Sequence, residues 1–281
     1  MTDIVAGEPI EIVPSLKASN PLWLEATEQL LVCVNQSGVA VVQRVAGKWQ
    51  TDNLTGTNGI VCLGLEGVRI VIGLQNRVEV GTLEAQTQRL LGGRQRITIR
   101  RTEKTGEWVD APSSRADLNN IQIDTVCPAR GGSTFFTDPR SASAGGGLYV
   151  FREDGESKRI YVGESLRGIV YIDDTIYVSD LKNLAIIQLR VDDEFGTEVV
   201  SSIAMPKFAG QGPDGLALDG LGNLYGACKE GVIVFDEARK PVGMIPIRNA
   251  SGCVFGGTDK KELFVTARDA IYLVPMVVQG R

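Results

Sequence analysis

The sequence contains no histidine among its 281 residues. Imidazole is the most frequent general base in enzymes and the common nitrogen ligand of zinc. Its absence excludes Ser-His-Asp and Cys-His nucleophilic sites and histidine-ligated metal centres. Acid–base chemistry in this chain must therefore use carboxylates, tyrosine, lysine, cysteine or water.

Paired cysteines are also missing. The five cysteines form no Cys-x-x-Cys motif, and an odd number cannot pair completely within one chain. Four of them lie inside apolar runs such as LLVCV and IVCLG. We predict small buried hydrophobic side chains rather than redox or nucleophilic groups.

Long hydrophobic runs and excess positive charge are absent as well. No segment of about 18 apolar residues occurs, and the N-terminal MTDIVAGEPIEIV lacks the basic and apolar regions of a signal peptide. The net charge of −5 argues against a broad nucleic-acid surface. We expect a cytoplasmic protein that binds neither membranes nor nucleic acid.

Glycine, by contrast, is abundant at 33 residues, and short alternating apolar segments separated by turn residues fill most of the chain. Six segments share one pattern: a small or polar residue, often followed by Gly, then a short apolar strand, a turn and further strands. Their leading residues are Ser19, Asn58, Asn119, Arg167, Asp214 and Ser251.

Successive leading residues are 37 to 61 residues apart, and the longest step carries an insertion at about 92–117. Propeller blades repeat on this scale, so we predict an all-β chain forming a six-bladed β-propeller, one domain over 1–281. The alternating Ile10–Val13 is expected to complete the last blade as its outer strand. A propeller buries its core within one chain, so we expect a monomer or a weak homo-oligomer.

Three stretches resemble the SMP-30/gluconolactonase family. GPDGLALDGLGNLYGACKEGVIVF with GCVFGGTDKKELFVTA is similar to the last third of that family, and STFFTDP is similar to a segment of its bacterial lactonase branch. SNPLW resembles the N-terminal Glu-Gly-Pro-Val-Trp element. The resemblance implies a six-bladed propeller that hydrolyses lactones or related esters with one calcium-type ion in its central channel.

The family's metal ligands are a Glu, an Asn and an Asp, and a further Asn contacts substrate or metal. By resemblance the Asp matches Asp214 and the further Asn matches Asn119. The Glu aligns with Ser19 and the middle Asn with Arg167, so two of three ligands are missing. A guanidinium cannot ligate a cation, and it supplies a fixed positive charge instead.

We therefore predict that Arg167 and Asp214 pair in the channel and that the guanidinium replaces the metal's charge. No metal cofactor is expected, with a calcium-type ion as the alternative. Asp214 beside Arg167 is expected to hold its proton weakly and to be a poor base. This favours cyclisation or isomerisation of a small organic molecule by charge stabilisation and positioning. A lactonase-type hydrolase and a non-catalytic binding propeller remain the alternatives.

The predicted catalytic residues are Arg167, Asp214 and Asn119. The predicted substrate-binding residues are Ser19, Asn58, Ser251, Asp138, Asp180 and Trp108. Asp138 and Asp180, like Asn35, close second strands, where turn capping is the competing interpretation. The basic insertion around Trp108 is predicted to be a solvated β-hairpin with RITIR as an edge strand, or a lid.

Overall fold

The computed structural model describes residues 4–34, 38–54, 57–66, 69–74, 77–86, 96–102, 121–152 and 157–281. Of residues 77, 79–86 and 96–102 it describes the backbone only. Asn35, Trp108 and Asn119 lie outside the described residues, as does most of the insertion.

The described strands form six antiparallel sheets of four strands each. The first complete sheet contains β2 (Ala18–Leu24), β3 (Gln29–Val34), β4 (Gly38–Val45) and β5 (Lys48–Leu54). The second contains β6 (Ile60–Glu66), β7 (Arg69–Leu74), β8 (Arg77–Gln86) and β9 (Arg96–Thr102). The third contains β10 (Val126–Pro128), β11 (Thr134–Asp138), β12 (Gly147–Phe151) and β13 (Ser157–Val162).

The C-terminal half repeats this arrangement. The fourth sheet contains β14 (Leu166–Ile172), β15 (Thr175–Asp180), β16 (Ala185–Val191) and β17 (Thr197–Ala204). The fifth contains β18 (Gly215–Leu218), β19 (Leu224–Ala227), β20 (Val232–Phe235) and β21 (Pro241–Ile245). The last contains β22 (Ala250–Gly256), β23 (Glu262–Ala267), β24 (Ala270–Pro275) and β1 (Ile10–Pro14). Single 3-10 turns occur at Ala142–Ala144 and Lys207–Ala209.

The first strands of the sheets form a closed cycle. β2 contacts β6, and contacts continue through β10, β14, β18 and β22 back to β2. Sheets arranged radially around their first strands are the architecture of a propeller, so the predicted all-β propeller fold is confirmed.

The N-terminal strand closes the molecule. β1 pairs antiparallel with β24, and Ile10 lies opposite Leu273. The sheet order is β1-β24-β23-β22, which confirms that Ile10–Val13 supplies the outer strand of the last sheet. In the second sheet β9 is the outermost strand, so RITIR is an edge strand, but it pairs with β8 and belongs to this sheet rather than to a hairpin inserted after it.

Apolar residues between neighbouring sheets form the core. Trp23 of the first complete sheet stacks on Phe264 of the last sheet, with ring centroids 5.0 Å apart. Phe135 packs edge-on against Tyr171 of the next sheet at 5.0 Å. Because these contacts cross from sheet to sheet, the burial of apolar surface holds the ring closed.

Glycines permit the innermost strands to approach one another. A Cβ atom on Gly215 would lie 2.7 Å from the Cα of Gly252, and one on Gly168 would lie 2.8 Å from the carbonyl oxygen of Asp214. These glycines directly follow the leading residues Asp214, Ser251 and Arg167. The close approach therefore explains why glycine follows these residues in the repeat.

No helix among the described residues is both long enough and apolar enough to cross a bilayer.

Candidate functional site

Arg167 lies between two aspartates at the ring of innermost strands. Its Nη1 donates a hydrogen bond to Asp124 Oδ1 at 3.0 Å, and its Nε lies 3.5 Å from Asp214 Oδ1. The three side chains expose 40%, 21% and 25% of their surface for Arg167, Asp124 and Asp214. The predicted pairing of Arg167 with Asp214 is therefore present, and a second carboxylate joins it.

The beginnings of two first strands position Arg167 and Asp214. Arg167 is in β14, at the bulge between Leu166 and Ile169, and Asp214 immediately precedes β18. The amide of Asp214 donates to the carbonyl of Ala227 at 2.8 Å, which holds the Pro213-Asp214-Gly215 segment against β19. The segment thus makes a tight strand entry and also presents a carboxylate.

Asp124 stands at the ring position of the third sheet, and Asn119, which was predicted to contribute to this site, lies outside the described residues. The amide of Asp124 donates to the carbonyl of Thr137 at 3.1 Å, next to Asp138 at the end of β11. The sequence does carry a signal for it. Ser19 lies 15 residues before Val34 at the end of β3, and Arg167 lies 13 residues before Asp180 at the end of β15, so the ring position precedes the end of the second strand by 13 to 15 residues. Asp124 satisfies this spacing before Asp138.

Asn58 is not at the ring. It lies in the exposed turn before β6, where the amide of Ile60 donates to the carbonyl of Thr57. The bulge between Ile60 and Cys62 places Val61 at the level of the other ring residues. The prediction that Asn58 lines the central site is therefore wrong. The turn adds residues between Asn58 and the strand, so Asn58 does not reach the ring.

Asn20 was missed and connects three ring segments. Its Nδ2 donates to the carbonyls of Val61 at 2.9 Å and of Asp124 at 3.2 Å. Its φ is 47°, a left-handed conformation that asparagine adopts more readily than most residues. The bulge between Ser19 and Leu22 produces this geometry. Asn20 thereby positions the backbone that carries Asp124.

Ser19 and Ser251 lie where they were predicted. Both border a cavity of about 560 Å³ that also reaches Asp214. Its lining residues are Lys17, Ala18, Ser19, Gln211, Asp214, Lys229, Asn249, Ala250, Ser251 and Arg268. The hydroxyl of Ser251 contacts the carbonyl of Ala18 and the hydroxyl of Thr266 at 3.3 and 3.2 Å.

Asp138 and Asp180 face turns rather than the cavity. Asp138 is fully buried and accepts a bond from Arg140 Nη2 at 2.7 Å and one from the Arg140 amide at 3.0 Å. Asp180 accepts bonds from the amide and Nδ2 of Asn183 at 2.9 and 2.8 Å. These contacts correspond to the turn-capping interpretation.

Burial decides the protonation of the ring carboxylates. It raises the pKa of Asp214 to about 6, against the lowering by Arg167 and Gln211, and Asp124 raises it further. Burial likewise raises the pKa of Asp124, with Arg167 and Thr125 opposing. The expectation that Asp214 holds its proton weakly is therefore wrong, because desolvation of the carboxylate exceeds the attraction to the guanidinium.

The cysteines are buried or half-buried, as predicted. Cys33, Cys62, Cys228 and Cys253 are buried, and Cys127 is half-buried. Burial raises the pKa of Cys33, Cys228 and Cys253 to about 12 and that of Cys127 to about 11. A thiolate nucleophile is thus disfavoured at neutral pH.

The donor set does not suit a calcium-type ion. Such an ion binds carboxylate oxygens at about 2.3–2.6 Å and prefers six to eight oxygen ligands. Here the Arg167 guanidinium already contacts the facing oxygens of both Asp124 and Asp214. A divalent cation between these carboxylates would lie against a fixed positive charge. Within the part of the chain that the structure describes, no cluster of three or more His, Cys, Asp or Glu side chains could hold a metal.

Comparisons with known proteins agree with the fold. The family described as SMP-30/gluconolactonase/LRE-like region matches residues 18–269. A gluconolactonase from Xanthomonas campestris superposes with a TM-score of 0.71 at 19% identity, covering 95% of this chain and 89% of that one. A calcium-binding protein, regucalcin, from Agrobacterium tumefaciens superposes with a TM-score of 0.69 at 16% identity, covering 99% and 96%. No curated protein sequence matches the chain significantly.

Proposed function

Because the chain belongs to the SMP-30/gluconolactonase/LRE-like family, we propose that it is a lactonase-type hydrolase of small esters or lactones. Each of the six sheets is then one blade, and the reaction takes place at the ring of their innermost strands. The observation that carries the proposal is the position of Arg167 between Asp124 and Asp214, together with the pKa of about 6 of Asp214.

Asp214 has the properties of a general base. A catalytic base works best when its pKa lies near the working pH, and a buried carboxylate raised to about 6 meets this condition. At pH 7 most Asp214 is ionised and accepts a proton from water, whose oxygen attacks the carbonyl carbon. The same proton then passes to the leaving alkoxide as the ester bond breaks. The sequence-based preference for cyclisation or isomerisation rested on missing metal ligands and on a poor base; the raised pKa of Asp214 removes the second reason, and the family match favours hydrolysis.

Arg167 has the properties of an oxyanion stabiliser. Only its Nη1 donates a hydrogen bond to a described residue, and its buried Nε has no hydrogen-bond partner of good geometry among them. An arginine carries five N–H donors and cannot deprotonate. The donors of Nη2, unlike the buried Nε that faces Asp214, are therefore available to the negative charge that develops on the carbonyl oxygen.

No step in this mechanism uses a metal, because the donor set at the ring does not suit a calcium-type ion. The unpaired state of all five cysteines is compatible with a reducing compartment, and we propose a cytoplasmic enzyme acting on a small molecule.

The test compares three variants on a panel of lactones and aryl esters. We expect Arg167→Met to lower kcat about 10²–10³-fold and Asp214→Asn about 10²–10⁴-fold. The control Arg190→Met removes an exposed arginine that pairs only with Glu198, and it should leave kcat unchanged. Hydrolysis in ¹⁸O-labelled water should place one label in the acid product.

Three outcomes contradict the proposal. Loss of activity with chelator and its return with calcium would assign the chemistry to a metal. Conversion of substrate without ¹⁸O in the product would restore cyclisation or isomerisation. Saturable binding of these compounds without turnover would make the chain a binding protein.

A further inference from the structure

Three positively charged side chains border the cavity at Asp214. Lys17 directly precedes β2, Lys229 follows β19, and Arg268 follows β23. Each comes from a different segment of the chain, yet all three line the same cavity of about 560 Å³. Asp214 is the single carboxylate among the lining residues.

Backbone contacts hold these segments together. The amide of Asn249 donates to the carbonyl of Lys229 at 2.6 Å, and the amide of Arg268 donates to the carbonyl of Asn249 at 3.1 Å. The hydroxyl of Ser251 contacts the carbonyl of Ala18, which follows Lys17, at 3.3 Å. The three cations are thus attached to one hydrogen-bonded rim rather than to independent loops.

The cations of this rim have no acidic partner among the residues that the structure describes. Lys17, Lys229 and Arg268 form no ion pair with any residue that the structure describes, whereas nearby Arg248 pairs with Glu230 at 3.6 Å. The carboxylate of Asp214 is already engaged by Arg167. In a chain of net charge −5, this cavity therefore concentrates positive charge, and such a field attracts anions.

Resting on the proposed function, we infer that the substrate of this site is an ester or lactone that carries its own anionic group, a carboxylate or a phosphate. Lys229 and Arg268, with Lys17, bind that group. The ester carbonyl then lies at the other side of Asp214, within reach of Arg167. The proposal explains why an acidic protein gathers three cations, none of them paired with a described acidic residue, around one carboxylate.

The kinetic test uses two esters of the same leaving group type, neutral phenyl acetate and anionic 4-acetoxybenzoate. We expect the double variant Lys229→Ala/Arg268→Ala to lose about ten-fold in kcat/KM on the anionic ester, through KM, and to keep its rate on the neutral ester. The matched control Lys158→Ala/Arg190→Ala removes two exposed cations, one in β13 and one in β16, and should change neither value.

A binding test separates this inference from the proposed function. Calorimetric titration with 6-phosphogluconate, gluconate and glucose varies charge at similar size and needs no turnover. We expect the affinity of the wild-type protein to rise with the negative charge of the compound. We expect this dependence on charge to disappear in the Lys229→Ala/Arg268→Ala variant. This result would support the anionic subsite even if no ester is hydrolysed. Equal affinities for the three compounds, or an equal loss in the control variant, would overturn it, whatever the outcome for hydrolysis.

Discussion

Two pairs of aspartates, one at the ends of second strands and one before first strands, differ in their hydrogen-bond partners and in their pKa. Asp138 and Asp180 end second strands, and each accepts bonds from backbone and side-chain donors of its own turn. Asp124 and Asp214 stand before first strands and share one guanidinium, and burial raises the pKa of both. The same residue type is thus a turn cap where turn donors saturate it and a carboxylate of raised pKa where they do not.

The difference follows from the local supply of donors. The turn after β11 provides Asp138 with Arg140, whose Nε and Nη2 lie 2.7–3.0 Å from its oxygens. At the ring the first strands converge, and glycines there bring backbones into contact instead of offering side-chain donors. A carboxylate at the ring is therefore partly desolvated without full compensation, which favours its protonated form.

Of the substitutions that test this difference between the two pairs of aspartates, Asp138→Ala should have the largest effect, a loss of protein stability. Asp138→Ala removes a fully buried carboxylate that accepts bonds from Arg140 and from two amides, so we expect a loss of about 3–5 kcal/mol in the free energy of unfolding. Urea denaturation measures it. The control Asp193→Ala truncates an exposed carboxylate and should leave the midpoint unchanged. An unchanged midpoint together with a fall in kcat would instead place Asp138 in the site.

Asp214→Asn, unlike Asp138→Ala, should increase the free energy of unfolding. The folded pKa of about 6 exceeds the ordinary 3.8, so the stability that Asp214 contributes is complete below about pH 3.8 and is lost as pH rises through 6. Replacing the carboxyl by an amide should therefore stabilise the protein by about 1–2 kcal/mol at pH 8 and by nothing near pH 4. Thermal melts of both proteins at the two pH values measure this. A destabilised variant at pH 8 would mean that the attraction to Arg167 exceeds the burial cost.

The smallest expected effect is a change in the pKa of Asp214 when the charge of Asp124 is removed. The charge of Asp124 raises the pKa of Asp214, so Asp124→Asn should shift the acid limb of the kcat/KM profile to lower pH. The wild-type limb is expected at an apparent pKa of about 6. The control Asp193→Asn should not move it. A shift to higher pH would show that Asp124 acts on Asp214 mainly through Arg167.

Local patterns in the sequence predicted most of the fold. Alternating apolar residues and turn residues are short-range signals, and they indicated the strands, the radial repetition and the closing role of Ile10–Val13. They also placed Arg167 and Asp214 on consecutive sheets, because each stands directly before a glycine that the close approach of the strands requires.

The misassignment of Asn58 has a local cause. Asn58 was chosen by its resemblance to other leading residues, but an added turn and a bulge change which position reaches the ring. The structure places Val61 there instead, and it adds Asp124, which the sequence analysis had not singled out. Counting back from the end of the second strand would have identified Asp124, since strand pairing conserves that spacing.

The sequence by itself determined the propeller fold and the pairing of Arg167 with Asp214, because strand alternation and ring glycines act over a few residues. Only the tertiary structure decided the pKa of Asp214, the presence of Asp124 beside Arg167, and the meeting of Lys17, Lys229 and Arg268 at one cavity. These properties depend on burial and on distances between residues far apart in the chain. Desolvation and charge interactions are set by closure of the ring, and no local pattern encodes them.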